Sequence, residues 1–335
     1  MLRGCMSVFQ FEERSLSFND IAIYQKKNKA SSRLDVDTSS EIIRGVIRPT
    51  PLIAANMSTV VNAEFYKKIY ELGGMAFLHR AQSIDQQIEQ IKEVAKTCQW
   101  VGFSIGVGRE YKDRVNEMIT AGGNICLIDI AHGYSDAVIE LGRWIKIIYP
   151  EVKVVVGNTN NVEMMREVRD FADAVKIGIA NGAACKTKDT AGCVEGQWTV
   201  IQRFQSASKE LNLPIISCGG IRQASDFTKA IIAGANACMI GSVFAATPES
   251  AAPIQYTLDG TFKVYSGMAS ATVQNDWKGG LKPGTCAEGT TILLPISESV
   301  EQVVEHYTGA LRSGITYAGG LSIKEAQESV KWVKL

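Results

Sequence analysis

The chain has no surplus of either charge, no long apolar run and no paired cysteines of the metal-binding kind. Its 335 residues carry 35 Lys+Arg against 35 Asp+Glu, so no field of one sign exists to hold nucleic acid or an anionic membrane over a broad surface. A local basic patch around a phosphate site is still compatible with that balance. The eight cysteines, Cys5, Cys98, Cys126, Cys185, Cys193, Cys218, Cys238 and Cys286, contain no CxxC pair, and histidine occurs only three times. Zinc-type spacing is absent, which disfavours metal-dependent hydrolysis, and no metal is expected. Neither a secretory apolar segment nor a run of membrane-spanning length is found, so a reducing, cytoplasmic setting without disulfides is expected.

The chain does contain a rhythm. Eight short apolar runs recur, each ending in a small or polar residue ahead of a helical pattern: 50–57, 73–80, 100–108, 125–133, 152–160, 173–182, 213–220 and 237–242. Continuous apolar runs suit strands covered on both faces. The intervening segments read as amphipathic helices; in "SIDQQIEQIKEVA", Ser83 is placed to cap with Gln86, and Ile84, Ile88, Ile91 and Val94 form one stripe. Eight βα units in one domain, 1–335, point to a (β/α)8 TIM barrel rather than a doubly wound sheet. Residues 1–48 read as an N-terminal extension. Residues 259–295 break the rhythm with turn signals and two strand-like runs, and read as a short flap over the barrel mouth. The helical stretches 297–313 and 322–330 would close the outer ring or meet a neighbouring subunit.

A barrel of this kind carries its chemistry at the C-terminal strand ends, with phosphate often held after strands seven and eight. Those loops are "SCGGI" and "IGSVF", where Gly219, Gly220, Gly241 and Ser242 can bring N–H groups to an anion; the plainer role for the glycines is tight turns. Cys185, just past the sixth run, is either a nucleophile or a structural thiol. Lys186 and Lys188 beside it would favour the thiolate, and Thr187 supplies a hydroxyl. Asp129 ends the fourth run, where an unpaired charge would be costly, so it is expected to face the polar mouth. Glu288 is an acid candidate on the flap, with a solvated surface carboxylate as its alternative. His79, Arg80 and His132 are rim candidates, whereas Cys126 and Cys238 belong to the core.

Taken together, "AANM" at 54–57, Asp129 to Ser135, Gly157–Asn158, the glycine-rich loop around Cys185, "SCGGI", "IGS", "VYSGM" and "AEG" resemble the IMP dehydrogenase and GMP reductase family, in its order and over nearly the whole chain. No insert follows the second run, Glu288 follows Met268 by 20 positions, and "LRSGITYAGG" resembles the reductase ending. The resemblance implies NADPH-dependent reductive deamination of GMP to IMP and ammonia through a covalent adduct on Cys185, assisted by Thr187 and Glu288. It implies purine nucleotide monophosphate contacts at Ala183, Cys218, Gly219, Gly220, Gly241, Ser242, Tyr265, Gly267, Met268 and Ala269. It places NADPH near His79, Arg80, Asp129, Asn158 and Gly178, with Tyr317 reaching a neighbour's cofactor in a homotetramer. A monovalent cation on the cysteine-loop carbonyls is a further cofactor known from the dehydrogenase branch.

Several positions depart from the family pattern. Cys218 stands where "SDGG" has the ribose-binding carboxylate, and loss of a charged acceptor should weaken ribonucleotide binding by roughly 2 kcal/mol or more. Asn181 replaces a turn proline, Ala183 lacks a phosphate-binding hydroxyl, Ser58 replaces an Asp and Thr285 an Arg. A deoxy or modified purine nucleotide, or a nucleotide-binding protein without turnover, are the alternatives these changes open.

Overall fold

The eight apolar runs become eight parallel strands. In the computed structural model, which describes residues 14–108 and 110–335, they are β1 (Leu52–Ala54), β2 (Met75–Ala76), β3 (Gly102–Ile105), β4 (Ile125–Asp129), β5 (Lys153–Thr159), β6 (Ala174–Ile177), β7 (Ile215–Cys218) and β8 (Ala237–Ile240). Their order is β2-β1-β8-β7-β6-β5-β4-β3. Leu78 closes the ring between β2 and β3, donating to Gly102 O at 2.9 Å and accepting from Ser104 N at 2.8 Å. The fold is a (β/α)8 barrel.

Eight helices surround it: α1 (Ala63–Glu71), α2 (Ile84–Ala95), α3 (Glu110–Thr120), α4 (Asp136–Ile148), α5 (Glu163–Val168), α6 (Gln197–Leu211), α7 (Ala224–Ile232) and α8 (Val300–Tyr317). Ser83 caps α2 through a reciprocal capping box with Gln86. Ile91 and Val94 are fully buried, each worth about 1.5–3 kcal/mol. Ile84, in contrast, is exposed, and Gln87 takes a buried place as the acceptor for Arg114 Nε at 2.8 Å. The buried stripe is therefore shorter than the sequence pattern suggests, and it is flanked by a buried polar pair.

Strand alternation divides the core. Leu52 and Ala54 face the helices, while Ile53, Met75, Phe77, Leu127, Val155, Ile216 and Met239 fill the barrel. Cys126 and Cys238 are wholly buried, as expected.

The N-terminal extension does more than precede the barrel. Residues 1–13, with Cys5, lie outside the described residues, but Ser40–Ile43 and Val46–Arg48 form a hairpin. Its Ile42, Ile43 and Val46 plug the barrel, with Asn236 Nδ2 donating to Glu41 O at 3.2 Å ahead of β8. Strand Ile21–Ile23 pairs with Trp332–Lys334 at the other end of the chain.

The flap is a three-stranded antiparallel sheet, Ile254–Thr257, Gly260–Ser266 and Thr291–Pro295, with one helix, Ala271–Lys278. It begins before residue 259 and holds three strands, not two. Ile254–Thr257 is exposed at every position, and its alternation, Ile254 and Tyr256 against Gln255 and Thr257, is too short to stand out in the sequence. Among the described residues no helix is long and apolar enough to cross a membrane.

Candidate active site

The cysteine loop follows β6, and its backbone bends where side chains are small: Gly178 has φ +115° and Ala180 φ +67°. Asn181 replaces the rigidity of a proline with hydrogen bonds. Its amide donates to Glu195 O at 2.9 Å and Gln197 Oε1 at 2.8 Å, and its carbonyl accepts from Gly220 N at 2.9 Å. Gln197, 2% exposed, in turn donates to Ser217 Oγ at 2.9 Å. The loop after β6 is thus tied to the loop after β7.

The end of the flap meets the cysteine loop edge to edge. Cys185 bridges Gly289, Lys186 N donates to Glu288 O at 2.8 Å, and Thr290 N donates to Ala184 O at 2.9 Å. This pairing brings together side chains 101 positions apart. Thr187 Oγ1 donates to Glu288 Oε2 at 2.8 Å and lies 3.3 Å from Cys185 Sγ. Because the single threonine proton is directed at Glu288, the hydroxyl can only accept from the thiol. The result is a directed chain from Cys185 S–H through Thr187 to the Glu288 carboxylate. Glu288 is therefore a member of this cluster and not a stray surface acid. Lys186, however, pairs with Asp189 at 3.5 Å, and Lys188 is exposed.

The other candidate nucleotide residues gather around this cluster. Gly267 N donates to Thr290 O at 3.0 Å, so Gly267, Met268 and the exposed Ala269 lie beside Cys185 and Gly289. Gly219 packs on Asn181 and Gly182, where a methyl group would come within 3.0 Å of Asn181 Cβ. A side chain on Gly241 would strike the Tyr265 hydroxyl, which reaches Met57 Sδ at 3.3 Å. Ser242 opens a one-turn helix, Ser242–Ala245, and Ala183 is exposed on the cysteine loop. Of the glycine N–H groups aimed at an anion by the sequence reading, that of Gly220 is already engaged by Asn181. Cys218 ends β7, half-buried above the barrel core and within electrostatic reach of Lys176.

A second polar group forms the floor of the mouth. Asp129, Gly157 and Lys176 are register partners on β4, β5 and β6, so they share the barrel's inner face. Any side chain at Gly157 would run into Lys176; glycine there lets Lys176 Nζ reach Asp129 Oδ1 at 2.7 Å. Asn56 Nδ2 donates to Asp129 Oδ2 at 2.7 Å. Burial pushes the Asp129 carboxyl up, but Lys176, Arg80 and Asn56 outweigh it and hold it below its ordinary value. Burial likewise depresses Lys176, yet Asp129 keeps it above the usual lysine range. Asp129 faces the mouth as expected, but as half of an ion pair.

Asn158 Nδ2 donates to Gly178 O at 2.7 Å and Gly133 N to Asn158 O at 2.7 Å, joining the ends of β4, β5 and β6. His79 is buried, with its pKa lowered to about 4 by burial and then by Arg114. Its Nδ1 and Arg80 Nε are buried without partners among the described residues. Arg80 also lies against Trp277 of the flap helix, 5.3 Å from the ring centre, beside a cleft of about 450 Å³ that includes Gln82, Ser83 and Trp277. His132 is exposed. Tyr317, half exposed at the end of α8, is not brought to this cluster. The chain after it packs through Gln327 near the N-terminal end of β8, at the opposite end of the barrel.

Asn56, Lys176 and Gln197 are the members that sequence reading overlooked. Lys176 left a signal as a charge inside the apolar run "DAVKIGI", and Asn56 as the polar residue of "AANM"; Gln197 left none.

A sequence profile described as the IMP dehydrogenase / GMP reductase domain matches residues 15–335. Among curated proteins, an inosine-5'-monophosphate dehydrogenase from Aquifex aeolicus is 38% identical over 242 residues, 70% of this chain and 49% of its own length. A GMP reductase from Onchocerca volvulus is 28% identical over 335 residues, 96% of this chain and 92% of its own. One from Levilactobacillus brevis is 35% identical over 313 residues, 91% of each. The chain thus spans about half of the Aquifex relative and nearly all of the two reductases.

Proposed function

The chain belongs to the IMP dehydrogenase / GMP reductase family, and from that premise we propose that it reduces a purine nucleotide monophosphate, converting GMP to IMP and ammonia with NADPH. The directed chain Cys185–Thr187–Glu288 carries this reading. It drains the thiol proton toward a carboxylate, which is what an attacking thiolate needs. The thiolate adds to C2 of the purine, forming a C–S bond. Glu288, through Thr187, then returns a proton to the departing amine, and the C–N bond breaks. A bound nicotinamide cofactor would supply the hydride that enters C2 as the C–S electron pair returns to Cys185.

Gly219, Gly220, Gly241, Ser242 and Tyr265 are assigned to the phosphate end, and Gly267, Met268 and Ala269 to the base. The residues at the mouth suit a cofactor of this kind: Arg80 Nε and His79 Nδ1 are buried polar atoms without partners among the described residues, and Arg80 lies within electrostatic reach of Asp129 and Lys176. His79, Arg80, Asp129, Asn158 and Gly178 would hold it, with Tyr317 contributed by a neighbour in a homotetramer. The match to two full-length reductases and the short flap support the reductase over the dehydrogenase. A cytoplasmic setting follows from the same reading.

One observation favours a second reading. Cys218 offers a thiol, not a carboxylate, at the mouth end of β7, which lowers the penalty for a sugar lacking a hydroxyl. Incubation with NADPH and either GMP or dGMP, followed by quantification of the hypoxanthine nucleotide and ammonia, tests both. Equal yields of the two products from GMP are expected; product from dGMP alone would shift the substrate. No product from either would leave a nucleotide-binding protein without turnover.

A further inference from the structure

Lys263 lies on the flap strand Gly260–Ser266 and is 2% exposed. Its ammonium donates to three main-chain carbonyls and not to a carboxylate: Pro248 at 2.9 Å, Ser250 at 3.2 Å and Ala252 at 3.1 Å. An ammonium has three donors, and all three are used. Carbonyl groups arranged in this way replace the hydration shell of a monovalent cation.

The three carbonyls belong to the loop that leaves the one-turn helix Ser242–Ala245, next to Gly241, and runs into the first flap strand at Ile254. Ser250 Oγ donates back to Ala245 O at 2.7 Å, and Val264 N donates to Pro253 O at 2.8 Å. Two residues beyond Lys263, and therefore on the same strand face, Tyr265 reaches Met57 and stands over Gly241. We propose that Lys263 is a tethered cation, filling a carbonyl cage that without it would accept potassium or ammonium, and that it locks the loop after β8 to the flap so that Tyr265 is held over the site. Lys263 is a positioning residue in this scheme. The cage is separate from the cysteine loop.

Lys263→Ala removes the tether and leaves room for an ion. Its thermal midpoint is to be measured in choline, lithium, potassium and ammonium chlorides at equal ionic strength. The variant should melt several degrees below the wild-type protein in choline and lithium, and recover most of the loss in potassium or ammonium. The gain in potassium or ammonium over choline should be several degrees larger in the variant than in the wild-type protein, so that any ion held elsewhere, as on the cysteine loop, cancels in the comparison. A midpoint equal to wild type, or the same loss in all four salts, would overturn the cage. Lys263→Met, close to lysine in volume, should not respond to ions, but trypsin should cut it after Lys278, in the flap helix, several-fold faster than wild type; unchanged cleavage would overturn the coupling to the flap. The consequence for Tyr265 rests on the proposed function, and there Lys263→Met should raise KM for GMP with little change in kcat. Absence of turnover in the wild-type protein would refute that function while leaving the ion-selective melting intact, so the two fail separately.

Discussion

Replacing Lys176 by methionine should unfold the barrel floor more readily than replacing the whole ion pair. The Lys176 and Asp129 side chains are 4% and 17% exposed and meet at 2.7 Å. Lys176→Met leaves the Asp129 carboxylate inside the barrel with Asn56 as its remaining close partner, and breaking a buried pair in this way costs about 3–5 kcal/mol. Lys176→Met/Asp129→Leu removes both charges and should lie within about 1.5 kcal/mol of wild type, as volume-conserving swaps do. Taking a urea slope of about 3 kcal/mol/M, the single variant moves the midpoint by roughly 1 M or more, and the double variant by less than about half of that. The difference should also depend on pH. In wild type the Asp129 pKa is lowered, so its contribution is present at neutral pH and lost as pH falls through the folded value. Without Lys176 the burial effect dominates and the folded pKa rises, so the deficit of the variant relative to wild type shrinks as pH is lowered. Urea unfolding of both proteins at pH 8 and pH 5, compared as a difference so that the His79 contribution cancels, checks this. A loss under about 1 kcal/mol in Lys176→Met, or a double variant as unstable as the single, would refute the reasoning.

Thr187→Val interrupts the chain between Cys185 and Glu288, and turnover should fall by about 10²–10⁴-fold while the fold, followed by circular dichroism, is kept. His79 has a folded pKa of about 4 against an ordinary 6.5, so between these values the unfolded chain takes up a proton that the folded chain refuses. Stability should therefore decline as pH falls through this window, by about 3 kcal/mol when complete, and His79→Gln should lose that component of the pH dependence in unfolding experiments. Gly157→Ala sets a methyl group 2.7 Å from Lys176 Cβ; a cost of about 1–3 kcal/mol or more should appear as a lower thermal midpoint.

The barrel was legible because each strand is covered on both faces, and eight short, predominantly apolar runs have few other arrangements. Cys185, Thr187 and Glu288 were each legible as candidates from their places in the chain, but their joining was legible only through resemblance, since the cluster unites a loop and a flap that only tertiary pairing brings together. What escaped shares one cause, polar groups satisfied at long range. Lys176 in an apolar run pairs with Asp129 across a glycine on the intervening strand, and Gln197 begins a helix but serves the loops after β6 and β7. The plug hairpin of residues 40–48 was hidden for a related reason. Ile42, Ile43 and Val46 fit a barrel end that exists only once β1 to β8 have closed.

The most direct test of the central claim is the oxidation of NADPH in the presence of GMP, followed by absorbance for the wild-type protein and for Cys185→Ala. The account predicts nucleotide-dependent oxidation in the wild type and none above background in the variant, with nucleotide binding preserved. Equal oxidation by both proteins would contradict the role given to Cys185, and no oxidation by the wild type with GMP or dGMP would contradict the reductase itself.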